Sequence, residues 1–171
     1  MTKPISFGRR EFLAGTAALG LAGALPSLGR AATPKRGGHF RIGCADYSSV
    51  DSLDPALSET RFQLYLNWQI RNNLIEMGPG GKLVPELAES WEGSKDAKTW
   101  VFKLRQGVEF HNGKPFTAED VVYSINLHRK PGTHSQAKPF LEPVTDLKAT
   151  GKHEVTFQLA SGNVGFPDLL S

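Results

Sequence analysis

Cysteine is nearly absent from this chain of 171 residues, which contains only Cys44. A single thiol cannot form an internal disulfide, so the sequence excludes a fold held together by disulfides. The apolar neighbours of Cys44 predict a buried, unreactive side chain on a strand. The five histidines show no paired spacing with Cys44 or with a carboxylate cluster, so the sequence indicates no closed metal site.

Motifs of common enzyme classes are also missing. The chain has no nucleophile elbow, no glycine-rich phosphate-binding loop and no HExxH zinc motif. Glu119 and Asp120 are adjacent carboxylates, but acidic residues are favoured in the first turn of a helix, which explains them without catalysis. These absences predict a protein that is not an enzyme and needs no cofactor.

The positive charge of the chain belongs to its first residues. The sequence has 20 basic and 17 acidic residues, a net charge of +3. Residues 1–31 hold four of the basic and one of the acidic residues, so residues 32–171 hold 16 of each. A nucleic-acid-binding protein needs a concentrated basic surface, whereas these charges balance and are scattered. We therefore expect no nucleic-acid partner.

Residues 1–31 have the order of an export signal. The pair Arg9-Arg10 precedes an uncharged apolar stretch at 13–28, and Gly29-Arg30-Ala31 then places small residues at a cleavage position. The apolar stretch is too short for a comfortable membrane span, and the paired arginines resemble a twin-arginine signal. We expect cleavage after Ala31, export by the twin-arginine machinery and a soluble periplasmic product.

The remaining residues alternate between strand and helix patterns, which predicts a mixed α/β fold. One apolar stripe recurs at every fourth position, which places Phe62, Leu66, Ile70 and Leu74 on one helical face. Thr117 and Asp120 have the spacing of a capping box that begins a helix ending near Arg129. Strands are predicted at 38–46, 100–105, 144–149 and 154–159.

The last residues read as the beginning of a further element. Residues 164–170 are mostly apolar, and no later residues are present to cover them. We therefore expect the chain to be a fragment of a longer protein.

Several short sequences, in this order, resemble the extracellular solute-binding proteins of family 5, the dipeptide, oligopeptide and nickel receptors of ABC importers. They are Gly37-Gly38, Ser52-Leu53-Asp54-Pro55, residues 83–91 (LVPELAESW) and residues 102–124 (FKLRQGVEFHNGKPFTAEDVVYS). The series covers nearly all of residues 32–171. Its residues are mainly core and turn residues, so the resemblance marks the scaffold and not the binding chemistry.

The resemblance implies a periplasmic-binding-protein type II-like fold, here incomplete. Residues 32–59 would begin lobe I, residues 60–160 would form a small inserted α+β domain, and residues 161–171 would return to lobe I. In such receptors the ligand lies between two lobes and is enclosed when they close. The second lobe is not represented, so we expect no useful ligand affinity from this chain alone.

The resemblance also maps candidate ligand-binding residues. The segment after the Ser-Leu-Asp-Pro turn lines the cleft in this family and maps onto Ser58, Glu59, Thr60 and Arg61, whose backbone can pair with an extended peptide. A second cleft-facing segment maps more loosely onto Gln136. For Ser58 and Thr60 a helix cap is an equal alternative, and Arg61 can be a solvated helix residue.

Two functions remain open at this stage. The first is the substrate-binding component of an ABC importer, with a peptide or other small solute as ligand and a membrane permease as partner. The second is an exported cofactor-binding protein or enzyme of the twin-arginine pathway. The lack of a metal-ligand constellation favours the first, but the sequence does not choose among peptide, nickel, opine and oligosaccharide ligands.

Overall fold

Two antiparallel sheets organise the computed structural model, which describes residues 37–171. The predicted export signal and its cleavage position lie outside the described residues. A small sheet pairs β1 (Ile75–Met77) with β2 (Leu83–Pro85), and the glycine-rich turn at 78–81 connects them. The larger sheet has the order β3-β4-β6-β5, with β3 at Ala88–Gly93, β4 at Thr99–Leu104, β5 at Val144–Gly151 and β6 at Glu154–Leu159.

Within residues 37–171, three α-helices and two short 3-10 helices accompany the sheets. Helix α1 spans Arg61–Ile70, α2 spans Ala118–Arg129 and α3 spans Lys138–Leu141; the 3-10 helices are Pro55–Leu57 and Phe166–Leu170. Helix α2 packs against β5 and β6, and the 3-10 helix Phe166–Leu170 packs against β1. The mixed α/β class and the strands β4, β5 and β6 are therefore confirmed.

Alternation of apolar residues forms the core face of the large sheet. Trp100, Phe102 and Leu104 all point to the buried side of β4, as their period of two predicts. Phe102 and Phe157 are neighbouring rings on β4 and β6, with centroids 5.3 Å apart in an edge-to-face arrangement. Phe166 packs on both rings, at 6.5 Å and 5.2 Å between centroids. This aromatic cluster is the centre of the core.

Helix α2 begins where the capping-box spacing predicts. Asp120 Oδ2 accepts hydrogen bonds from Thr117 N at 2.9 Å and from Thr117 Oγ1 at 2.8 Å. The helix ends at Arg129, and Val121 is buried while Val122 and Ile125 are partly buried. The shorter Asp side chain therefore serves in place of the usual Glu or Gln.

Three expectations for residues 38–74 were wrong. Residues 38–46 contain no strand, since a strand is held by a neighbouring strand and neither sheet extends to this segment. Cys44, which lies there, is only partly buried. Helix α1 ends at Ile70, so Leu74 is not on its face.

The final segment is covered, contrary to the expectation for residues 164–170. Phe166, Pro167 and Leu170 are buried, because the 3-10 helix turns them onto the same core as the large sheet. Val164 and Leu169 are exposed. The domain boundaries at 59/60 and 160/161 stay predictions.

Candidate functional site

Thr60 is held as the N-cap of helix α1. Its Oγ1 accepts a hydrogen bond from Gln63 N at 3.3 Å, and Gln63 Oε1 accepts one from Thr60 N at 3.1 Å. The Thr60 hydroxyl also donates to Asp51 Oδ1 at 3.0 Å. The cap that the sequence left as an alternative for Thr60 is therefore present.

Neighbouring backbone groups are also used within the chain. Ser58 N donates to Pro55 O at 3.5 Å, Glu59 N donates to Gln63 Oε1 at 2.8 Å, and Arg61 N donates to Asp46 Oδ2 at 3.1 Å. The Ser58 hydroxyl accepts a bond from Asn67 Nδ2 at 2.6 Å. All four N–H groups of the segment 58–61 thus have internal acceptors. The side chains of Glu59 and Arg61 are exposed.

Gln63 is the residue that organises this segment, and it was not among the candidates. Its side chain is 2% exposed although it lies on a helix whose other residues are mostly exposed. Besides accepting two backbone N–H groups through Oε1, it donates from Nε2 to Ser52 O at 3.3 Å. The sequence carried a signal for this role, because Thr60 and Gln63 have capping-box spacing.

Gln136 lies on the loop between α2 and α3 with its side chain exposed. The preceding residue, Ser135, faces the opposite way and is 7% exposed. Its Oγ lies 2.6 Å from His128 Nδ1 and accepts a hydrogen bond from Ala137 N at 3.2 Å. The loop is therefore fixed at Ser135 while Gln136 is presented to solvent.

The end of helix α2 lies near the Ser-Leu-Asp-Pro turn. Burial lowers the pKa of His128, the charge of Asp54 raises it, and the charge of Arg71 lowers it. The Arg71 guanidinium donates to Leu53 O in the same turn. Asp54 accepts from Ala56 N at 2.9 Å and so caps the 3-10 helix that precedes the segment 58–61. The end of α2, which precedes the Gln136 loop, thus lies near the turn at residues 52–55, which precedes the segment 58–61.

A cleft of about 770 Å³ lies next to Arg71 and His128. Arg71, His111, Asp120 and His128 are among its polar lining residues, and Leu74, Phe116, Val121 and Leu170 are among its apolar ones. None of the five candidate ligand-binding residues lines this cleft. His111 and His128 thus contribute to a concave wall.

Metal ligands do not cluster in the described part of the chain. Among residues 37–171, no three His, Cys, Asp or Glu side chains are grouped so as to hold a metal ion. In the same residues, no helix has both the length and the apolar character needed to cross a membrane.

Residues 82–171 match the model of the family described as bacterial extracellular solute-binding proteins, family 5 Middle. The chain belongs to this family. Two curated relatives are the nickel-binding periplasmic protein of Escherichia coli, 34% identical over 69% of this chain, and the periplasmic oligopeptide-binding protein OppA of Haemophilus influenzae, 33% identical over 61% of this chain.

Solved structures of the family agree with the fold. The binding protein AgaA of A. tumefaciens R10 in complex with agropinic acid is 30% identical, with a TM-score of 0.66 over 70% of this chain. The H. influenzae OppA complex with RPPGFSPFR is 26% identical, with a TM-score of 0.65 over 70% of this chain. The periplasmic-binding-protein fold is therefore confirmed for the part present.

The chain spans about a fifth to a quarter of the length of these proteins. The matched share is 22% of the nickel-binding protein and 19% of OppA among the curated relatives. It is 24% of the AgaA chain and 26% of the OppA chain among the solved structures. The relatives are named as binding proteins, in agreement with the prediction of a solute-binding scaffold.

Proposed function

We propose that this chain is part of the periplasmic substrate-binding component of an ABC importer, which captures peptides or similar small solutes for a membrane permease. The observation that carries the proposal is the family match over residues 82–171, on a fold shared with an oligopeptide-binding protein. Export by the twin-arginine machinery and cleavage near Ala31 belong to the same proposal and rest on the sequence of residues 1–31.

Peptide is the preferred ligand class. OppA relatives and an OppA complex with RPPGFSPFR support it, whereas the nickel-binding relative and the agropinic acid complex show how widely ligands vary on this scaffold. The fold alone does not select among them.

A screen by thermal shift distinguishes these ligand classes. The protein purified from its native periplasm is heated with short peptides, with a nickel–histidine chelate and with oligosaccharides. Because a ligand that binds only the folded state raises the melting temperature, we expect peptides to raise it. A response to sugars or metal chelates and never to peptides would contradict the peptide proposal.

The segment 58–61 and Gln136 are proposed as ligand contacts. Because the N–H groups of the segment already have acceptors, its available groups for an extended peptide are the carbonyls of Ser58 and Glu59 and the exposed side chains of Glu59 and Arg61. The contribution of Thr60 is then to hold the segment in place through its cap.

Paired variants test the proposed contacts. Replacing Arg61 or Gln136 by Ala should weaken peptide binding with the unfolding midpoint unchanged, since both side chains are exposed. Gln106→Ala, at another exposed position, is the matched control. If the Arg61, Gln136 and Gln106 variants bind peptide with equal affinity, Arg61 and Gln136 are not ligand contacts. The receptor proposal is unaffected by that result.

A further inference from the structure

Ser135 and His128 form a short hydrogen bond between their side chains. Ser135 Oγ already accepts the Ala137 N–H at 3.2 Å, so its own proton is available for His128 Nδ1, 2.6 Å away. A nitrogen that accepts a hydrogen bond carries no proton. With the Ser135 hydroxyl as the donor, which is the arrangement we take for His128, the imidazole is neutral and carries its proton on Nε2.

The surroundings of His128 favour this neutral form. Burial lowers its pKa, and the positive charge of Arg71 acts in the same direction, whereas Asp54 opposes them. The other titratable side chains that line the adjoining cleft are Glu109, His111 and Asp120. Desolvation is the largest of these influences, so His128 is uncharged at neutral pH.

We propose that neutral His128 positions the loop 133–137 through Ser135, and that protonation of His128 under mildly acidic conditions loosens this loop. A protonated Nδ1 is a donor and cannot accept the Ser135 hydroxyl. The hydroxyl proton of the buried Ser135 then lacks its acceptor, which is costly in a desolvated position. The new positive charge on His128 is also repelled by the positive charge of Arg71.

The direction of the pH effect follows from linkage. A histidine whose pKa is lower in the folded than in the unfolded state contributes stability above its ordinary value of about 6.5. That contribution is lost as the pH falls through the lower, folded-state value. The loop is therefore expected to be firm at neutral pH and to loosen progressively below about pH 6.5.

The loop carries Gln136, so this inference bears on ligand binding as well. If the proposed function holds, peptide affinity should decrease on acidification with the same dependence on His128. This second consequence rests on the proposed function, whereas the positioning of the loop by His128 does not.

Hydrogen exchange of the Ala137 amide, followed by NMR in the 171-residue chain, tests the positioning role. After correction for the intrinsic exchange rate, protection of Ala137 should fall by up to roughly tenfold per pH unit between the ordinary histidine pKa of about 6.5 and the lower folded-state pKa of His128, and level off below it. The amide of Asn163, which donates to Ala97 O far along the chain, should show no such trend and serves as an internal control.

Variants separate the hydrogen bond from the charge. His128→Asn offers an uncharged oxygen acceptor near the place of Nδ1 and should keep Ala137 protected at both neutral and acidic pH. Ser135→Ala should remove the protection at every pH. His134→Asn, which changes an exposed histidine of the same loop, should retain the pH dependence of the unaltered chain.

Two results would overturn the inference. The first is an Ala137 protection that does not change with pH in the unaltered chain. The second is an equal loss of protection on acidification in the His128→Asn variant, which would assign the effect to another group. Neither depends on a ligand, so a failure here is distinguishable from a failure of the proposed receptor function.

Discussion

Gly162 lies against the carbonyl oxygen of Asp96, so that a Cβ at position 162 would stand 2.1 Å from that oxygen. Next to this contact, Asn163 N donates to Ala97 O at 3.0 Å. The chain leaving β6 is therefore held against the turn between β3 and β4. This close approach directs the following residues back to the core, where Phe166 completes the aromatic cluster.

Gly162→Ala is expected to destabilise the fold. The nearest atom to the added methyl group is a backbone oxygen, which cannot move without shifting the turn, so we expect a loss of about 1–3 kcal/mol in the free energy of unfolding. Urea denaturation measures this loss. Gly151→Ala is the control, because its Cβ would meet only Glu154 Cβ at 3.5 Å, an ordinary contact. Equal midpoints for the two variants would contradict the close packing at Gly162.

Phe166→Ala should be more damaging. Phe166 is 1% exposed and contacts the rings of Phe102 and Phe157, so removing its ring leaves a core cavity that costs about 3–5 kcal/mol. Leu169→Ala, in the same 3-10 helix but with an exposed side chain, should change stability by no more than about 0.5 kcal/mol. Similar unfolding midpoints for both variants would show that the segment does not belong to this core.

Gln63→Ala tests the support of the segment 58–61. It removes the acceptor of the Glu59 and Thr60 N–H groups and should reduce the free energy of unfolding by about 1–3 kcal/mol. Hydrogen exchange of those two amides should increase at the same time. Gln63→Glu is the comparison for the exchange measurement, because it keeps the acceptor of both amides, although its buried carboxylate in place of the donor to Ser52 O also lowers overall stability. Unchanged exchange in Gln63→Ala would show that the segment is held by other contacts.

Asp120 should make stability depend on pH in the acid range. Burial by itself raises the pKa of Asp120, but hydrogen bonds from Lys114 and Thr117 outweigh it and lower the pKa below its ordinary value. A lowered folded-state pKa gives stability that is present above about pH 3.9 and is lost as the pH falls through the folded-state value.

Asp120→Asn keeps an oxygen that can accept from Thr117 but loses the charge that pairs with the exposed Lys114. It should therefore reduce stability at pH 7 by no more than about 1 kcal/mol and flatten the acid limb of the pH–stability curve. Glu119→Gln, one residue away and exposed, is the comparison that keeps the capping box. If the acid limb of the pH–stability curve is the same in Asp120→Asn as in the unaltered chain, other carboxylates are responsible for it.

Local signals predicted the elements whose own residues carry a regular pattern. The alternation at 100–105 and 154–159 specified strands that pair with each other, and the Thr117–Asp120 spacing specified where α2 begins. Alternation marks the buried face of a strand wherever its partner lies in the chain, and the cap of α2 lies within its own first turn, so the sequence pattern is sufficient in both places.

Other expectations failed where stability depends on contacts that periodicity does not show. The apolar stripe predicted a helical face that includes Leu74, but α1 ends at Ile70, and its buried side chain is Gln63, which is not part of the stripe. Its burial comes from hydrogen bonds to the segment 59–60 and to Ser52, which are tertiary and polar.

The candidate site shows the same division. The sequence and the family resemblance selected the segment 58–61 and Gln136, and the capping alternative for Thr60 is what the structure contains. The proximity of His128 to Asp54 and Arg71 joins residues far apart in the chain. No local sequence pattern predicts that these three residues lie near one another, so their arrangement is known only from the folded structure.

Isothermal titration of a short peptide into the protein purified from its native periplasm, with its intact mass measured in parallel, tests the proposed receptor function most directly. The proposal predicts a species that begins near Ala32, is several times heavier than this chain and binds peptide one-to-one. A periplasmic species of residues 32–171 alone that binds no peptide would contradict the proposal.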